Sequence, residues 1–556
     1  MQKKNFLQKT FTGRRGRRLR EYFTAYIFIA PAALLVFIFG IFPVFFALYV
    51  SLHRWRIVRG EMIGLTNYIN AISNVAYVAA FFLGIGALAG VYFIIKHILG
   101  MRKAHNDQPW LTILPGLLFA ATGFSFLNWF YRALPEVLDI AFKVRGLERD
   151  EIVFIDLLGE ALRAESVLPA WRIFGVIFLA SIVVSVMTLR IWQNRNNINY
   201  QAYFALGFVA LGVGIGLLYF ALQEVNAAYV TALAEGVDPG IWSQVITISS
   251  GVILLSAAWV VWRRAEKQHS NVGFWLHLLA AVILLIGGWL LIGEIPAIIA
   301  AGDKKIWEGL KVTVFFSLGT VPFQLVISLF LSVLLFQKVR GSNIFRIIFF
   351  IPYVTPSIAS AAVFKQMFSN RQSAPVNMLL RGLRLPPQQW LFEPRGIFAI
   401  ISDFWGFSLP PWAAGPSLAL FVIILHSIWT FVGYNTVIYL AGLGNIPKEL
   451  NDSAEVDGAN SWQVFRHITF PLLSPTTYFL SLIGIIGTFK AFNTIWIFRS
   501  NLALGTTDTF SVVIFIEFFE KLRYGYASAM AFILFAIIIT LSYINNRVQG
   551  SKVFYG

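Results

Sequence analysis

Ala25–Val50 reads AYIFIAPAALLVFIFGIFPVFFALYV, 26 residues without a charge. As a helix rising 1.5 Å per residue it outreaches the roughly 30 Å hydrocarbon core of a bilayer. It is too long for a signal-peptide core and follows the basic run Arg14, Arg15, Arg17, Arg18 and Arg20. It therefore reads as an uncleaved first span whose N-terminus is cytoplasmic.

Outward from this run, eleven more apolar segments lie near 76–98, 111–131, 171–192, 201–222, 243–263, 274–299, 311–336, 345–364, 417–443, 476–498 and 525–545. Runs of about 20 residues, not ten-residue alternations, together with the need to satisfy backbone groups inside lipid, predict helices and no barrel. The expected fold class is all-α, a polytopic membrane helical bundle of about twelve transmembrane helices. With 58% hydrophobic and 13% charged residues and a mean hydropathy of +0.71, the chain departs far from soluble composition. Lys and Arg number 44 against 27 Asp and Glu, a surplus of +17 that reads as basic cytoplasmic loops; no nucleic-acid partner is expected. The absence of cysteine excludes disulfides, thiolate nucleophiles and cysteine metal sites.

Alternating the sides puts the basic stretches Lys96–Lys103, Arg190–Arg195, Arg263–His269, Lys338–Arg340 and Lys448–Arg466, and the tail after Arg547, inside with both termini. The more acidic 132–170 and 223–242 become outer loops. Arg54, Arg56 and Arg59 break the rule, falling on the outer side after the first span. The apolar patch Phe510–Phe519, interrupted by Glu517, reads as an outer-face segment, not a span.

Three segments are expected: 1–73 with the basic N-terminus and first span, 74–305 as an additional hydrophobic insertion of about six spans, and 306–556 as a transport core. Polar and kink-forming residues concentrate in the last: Pro322, Gln324, Pro352, Pro356, His426, Asn435, Lys490 and Asn493. Such residues in lipid are costly and line pathways or helix contacts. Between the spans at 417–443 and 476–498 lies the loop 446–471, IPKELNDSAEVDGANSWQVFRHITFP. It reads as a helix-turn-helix: Pro447 opens a helix, Gly458 ends it in the left-handed conformation, Ser461 caps a second helix with Trp462, Phe465 and Ile468 on one side, and Pro471 stops it.

This loop resembles the EAA loop of the membrane subunits of ATP-binding-cassette importers, whose pattern is Glu-Ala-Ala, three residues, Gly, nine residues, Ile-x-Leu-Pro. The corresponding residues are Asp452-Ser453-Ala454, Gly458 and Ile468-Thr469-Phe470-Pro471, with the spacing kept and Asp, Ser and Phe substituted. The flanks Pro447–Leu450 and Ala454–Ala459 look like carbohydrate-uptake permeases of the MalF type. So do Ala30-Pro31-Ala32, Phe42-Pro43, Gly64–Tyr68, Trp307–Thr313, Val321-Pro322, Gln324-Leu325, Arg340-Gly341 and Phe345–Tyr353, giving coverage of about 20–70 and 306–550. The insertion 74–305 and a second one near 395–416 depart from that family.

The resemblance implies a multi-pass permease in a prokaryotic cell membrane, without enzymatic activity of its own. The implied partners are a second permease subunit, two ATP-binding subunits, an extracytoplasmic solute-binding protein, a carbohydrate substrate and membrane lipid. The chain has no Gly-Lys dipeptide and hence no phosphate-binding loop. No cofactor is therefore expected on this chain, with ATP and Mg at the partner ATPases. In that arrangement Asp452, Ser453, Ala454, Glu455, Gly458, Trp462, Phe465, Ile468 and Pro471 form the ATPase-coupling loop. The matching spans would line the substrate pathway through Ser427, Trp429, Thr430, Tyr434, Lys490, Asn493 and Thr494. Helical spacing puts 427, 430 and 434 on one face, and Gly487, Lys490, Ala491 and Thr494 on another. Trp429 packing between helices, and Lys490 pairing with Glu517 or Asp403, are the structural alternatives. The competing functions are a membrane-embedded enzyme and a stand-alone secondary transporter using the hydrophobic insertion.

Overall fold

The computed structural model describes residues 14–105, 107–145, 150–192, 196–236, 238–265, 270–293, 295–337 and 340–548. Parts of the expected basic loops, at 193–195, 266–269 and 338–339, and the tail from 549 lie outside them. Ten described helices are long and apolar enough to cross a membrane, and twelve if each of two bent helix pairs counts as one span. The protein is an all-α membrane bundle, and each expected span overlaps one of these twelve elements, although the one expected at 476–498 ends at Phe489.

Contacts divide the chain into two units, Met1–Ser73 with Gly293–Gly556, and Asn74–Ile292. In the Asn74–Ile292 unit, helices cross where glycines remove side-chain bulk: a Cβ on Gly84 would meet Leu218 at 2.8 Å, and one on Gly214 would meet Leu88 at 2.8 Å. The stretches expected as outer loops are largely helical. The helix Asn197–Ala234 runs on through the Ala-rich 223–234, because good helix formers carry it past the hydrocarbon-length run until Gly236 turns at φ +72°. Ile113–Lys143 likewise extends beyond its expected end, and Glu151–Arg163 forms a further helix in 132–170.

The other unit packs around Leu418–Gly444. Of this helix's most apolar window 61% is buried, against 33% for Lys304–Phe336, which makes it the axis of the unit. At one end of the spans, Tyr526 donates a 2.7 Å hydrogen bond to Asp303, Ser417 reaches the carbonyl of Thr506, and a hairpin of His53–Trp55 and Arg59–Met62 follows the first span. The helix-turn-helix 446–471 extends from the opposite end.

The insertion near 395–416 packs at the same end of the spans as Ser417 and Thr506, closed by a bridge between Gly396 and Ser417. Next to it Asn377, fully buried, accepts hydrogen bonds from the Gln388 amide (3.0 Å) and the Trp390 indole (2.8 Å). It donates to the Arg371 carbonyl at 3.0 Å, so one side chain ties three turns together. The patch Phe510–Phe519 is two short helical turns, Phe510–Phe515 and Ile516–Glu520, too short to span. Its Glu517 is 1% exposed and held by Lys521 and Arg523.

Candidate functional site

The helix-turn-helix starts where Leu418–Gly444 ends. Pro447, extended at ψ 132°, sits at the N-cap of Lys448–Val456, and the helix closes at Gly458 with φ +81°. The Gly458 amide donates to Glu455 and the Ala459 amide to Ala454 (3.0 and 2.9 Å), the paired bonds of a Schellman turn. The second helix is capped by Asn460, not by Ser461 as expected. Asn460 Oδ1 accepts from the Gln463 amide at 2.9 Å and Gln463 Oε1 accepts from the Asn460 amide at 2.8 Å. Only Asn460 has a glutamine three residues on, the spacing that lets both bonds form.

Pro471 does not stop this helix either. The rod Ser461–Leu472 continues past it and meets Ser474–Phe489 at a 60° bend. The π turn Phe465–Thr469, closed by the Phe470 amide on the Phe465 carbonyl, widens the backbone just ahead of the proline ring, which a regular helix would force against the carbonyl four residues back.

Asp452, Ser453 and Glu455 are exposed and Ala454 is half-buried. Val456, at 87% exposure, and Trp462, at 65%, leave apolar side chains open on the same projection. Trp462 stacks on Phe465 at 5.5 Å; Ile468 and Pro471 are half-buried. Phe465, Val464 and Asn451 line a cavity of about 350 Å³ against Val333, Phe336 and Leu443 at the ends of the spans.

The expected pathway residues divide. The helices Ser342–Val354 and Ser357–Met367 meet at a 93° bend at Thr355-Pro356, since a residue before proline is driven out of the helical region and Thr355 is extended at ψ 132°. The bend opens a cavity of about 180 Å³ onto Leu418–Gly444, lined by Thr355, Ser357 and Ser360 from the bent pair, His426, Ser427 and Thr430 from the central helix, and Thr494. Ser427, Thr430 and Thr494 are thus brought together. Tyr434 lies one turn along, stacked on Tyr353 at 4.6 Å. Trp429 is outside the cavity lining, 5.3 Å from Phe364 and 42% exposed.

Lys490 and Asn493 are exposed and outside it as well. The face expected for Gly487, Lys490, Ala491 and Thr494 does not exist, because the helix ends at Phe489 and a new one begins at Asn493. The freed carbonyls are taken by downstream hydroxyls: Ser511 donates to Phe489 at 3.0 Å and Thr509 to Ala491 at 3.2 Å. Lys490 forms no ion pair among the described residues; Glu517 is held as above and Asp403 pairs with Arg395 at 3.2 Å.

Ser360, Ser357 and Thr355 were missed by reasoning along single helices, although Pro352 and Pro356 marked their segment. Ser360 Oγ lies 3.1 Å from His426 Nε2, and His426 is 2% exposed. The cavity wall therefore offers several hydroxyls and an imidazole beside aromatic faces, a few placed polar groups in a largely apolar setting.

Residues 324–554 match the family described as binding-protein-dependent transport system inner membrane component. The probable ABC transporter permease protein YesP of Bacillus subtilis is 32% identical over 257 residues, covering 46% of this chain and 75% of the relative. The sn-glycerol-3-phosphate transport system permease protein UgpA of Rhizobium meliloti is 31% identical over 261 residues, 46% of this chain and 79% of the relative. The arabinooligosaccharides transport system permease protein AraP of Bacillus subtilis is 28% identical over 249 residues, 44% and 71%. A multi-pass bundle with a helix-turn-helix between two of its core spans, and relatives of this identity and coverage, place the chain in one group: it belongs to the family of inner membrane components of binding-protein-dependent transport systems.

Proposed function

We propose that the chain is the translocation subunit of an ATP-binding-cassette importer for oligosaccharides or related polyols, moved by ATP hydrolysis on partner chains. The helix-turn-helix carries this reading. Its bonded turn makes it a compact projection that exposes both apolar Val456 and Trp462 and the carboxylates Asp452 and Glu455, the mixed composition of a protein-docking surface. The docked chain is an ATP-binding subunit that holds ATP and Mg; a second permease subunit and a second ATPase complete the pump. The first and last spans begin and end, respectively, at the same end as this projection, so ATPase docking there makes both termini cytoplasmic. The hairpin end then meets the solute-binding protein. Relatives transporting arabinooligosaccharides and glycerol phosphate, with the hydroxyl-lined cavity, support a polyhydroxylated substrate.

Affinity purification of the tagged chain from cells expressing the whole transporter tests the coupling. The native chain is expected to retain ATPase subunits in mild detergent. Trp462→Glu, an exposed substitution, is expected to reduce their recovery about tenfold with no change in the chain's own melting temperature, as the loss of about 1.4 kcal/mol at an interface anchor requires. No ATPase on the folded native chain removes the reading.

For the pathway, replacing Ser427 and Thr430 by Val is expected to raise the KM for oligosaccharide uptake about thirtyfold with ATPase retention unchanged, as two hydrogen bonds worth about 1 kcal/mol each are lost. An unaltered KM excludes this cavity from the route.

A further inference from the structure

Arg54, Arg56 and Arg59 stand out in the sequence as cations on the end of the bundle where the alternation of sides expects few. The structure gives two of them a common destination. Arg54, Trp55 and Arg56 form one wall of a cavity of about 370 Å³, Arg523 and Tyr526 from the start of the last span form another, and Asn67 and Asn70 contribute to its lining. Three guanidinium groups thus border one space, each a planar fork suited to the oxygens of an oxyanion.

Their existing partners leave capacity. The Arg54–Glu61 pair is a surface contact at 3.2 Å with both side chains more than two-thirds exposed, an arrangement that contributes little. Arg523 shares the buried Glu517 with Lys521. Arg56 makes no ion pair among the described residues. The lining holds three arginines and no carboxylate; Arg54 and Arg523 are paired, with Glu61 and Glu517, and Arg56 adds a further positive charge, which suits a singly charged phosphodiester.

The surroundings select the source of that group. The cavity lies between the end of the first apolar helix, Glu21–Ser51, and the start of the last, Tyr524–Val548, hence at headgroup depth. Trp55 is half-buried, its ring edge-to-face with Phe46 at 5.9 Å, and the hairpin beside it exposes Ile57, Val58 and Met62. An indole and an aliphatic tip next to a cationic pocket fit the boundary between headgroups and acyl chains and have no use in a site for a water-borne ion. We propose that this pocket binds the phosphodiester of an anionic phospholipid headgroup, anchoring the hairpin and the last span to the membrane surface.

Arg56 supplies a clean test, since its replacement breaks no ion pair in the structure. The full chain is delipidated in uncharged detergent, given phosphatidylglycerol or phosphatidylcholine at equal loading, and weighed by native mass spectrometry. Retention of one phosphatidylglycerol per chain, several-fold above phosphatidylcholine, is expected. Arg56→Gln should lower it at least threefold and Arg54→Gln/Arg56→Gln about tenfold, as charge-assisted bonds are removed. Equal melting temperatures without lipid verify the fold; if the double variant melts early, Arg56→Gln alone carries the comparison. Phosphatidylglycerol bound equally by native and Arg56→Gln chains overturns the site. Inorganic phosphate that displaces the lipid and raises the melting temperature as much as phosphatidylglycerol overturns the lipid assignment and leaves a soluble phosphate as ligand.

Discussion

Gly433→Ala is expected to melt well below the native chain in detergent, and Gly433→Val to yield no folded protein. A Cβ at this position would stand 1.7 Å from the Phe349 carbonyl oxygen and 2.4 Å from its carbon. The obstacle is the backbone of Ser342–Val354, not a flexible side chain, so the two helices must separate along their whole contact. Overpacking in a core costs about 1–3 kcal/mol, and an immovable backbone puts this case at or above the top of that range. Separation also withdraws Tyr353 from Tyr434, whose rings lie 4.6 Å apart. Gly487→Ala is the control. It is exposed, a Cβ there meets nothing within 4 Å, and alanine favours the helix, so no loss of melting temperature is expected. A native-like melting temperature for Gly433→Ala would mean that the close approach does not exist.

Transport by Gly458 variants should fall in the order Gly, Asn, Ala, Val. The backbone there holds φ +81°, and a Cβ would meet nothing within 4 Å, so the penalty is conformational alone. For an ordinary L-residue the left-handed region costs roughly 1–2 kcal/mol; asparagine tolerates it better, and a β-branched residue tolerates it worst. If the turn fixes the angle between Lys448–Val456 and Ser461–Leu472, the Ala variant should transport about tenfold less while ATP hydrolysis continues, the sign of uncoupling. Ranking by bulk, with Asn below Ala, would instead identify Gly458 as a contact surface. Uptake and hydrolysis measured on the same reconstituted complex separate the two.

The spans were legible because hydropathy over twenty residues is local and strong. The ends were less so: 223–234 carries helix formers as well as polar residues, and polarity alone suggested a loop. Asn460 and Ser461 are both capping types, and only Gln463, three residues beyond Asn460, distinguishes them. The break at 490–492 had no local signal, since the hydroxyls that make it tolerable belong to Thr509 and Ser511. Arithmetic along one helix could nominate Ser427 and Thr430. It could not nominate Ser360, which reaches the cavity only because the chain turns through 93° at Pro356. The hairpin 53–62 lacks a turn dipeptide and was read only as misplaced charge.

Leu418–Gly444 carries cavity residues near its middle and the projection at its end, as one unbroken rod. From Ser427 to Gly444 the helical rise amounts to roughly 26 Å. Pivoted at the cavity, such a lever turns a tilt of about 10° into a sweep of roughly 4–5 Å at the projection, by the geometry of a stiff helix of this rise. Run in reverse, an angstrom-scale push at the far end becomes a change of well under an ångström beside Thr430. Such gearing trades distance for force: on the proposed transport route, a large stroke at the projection would deliver a small, strong displacement beside the cavity hydroxyls.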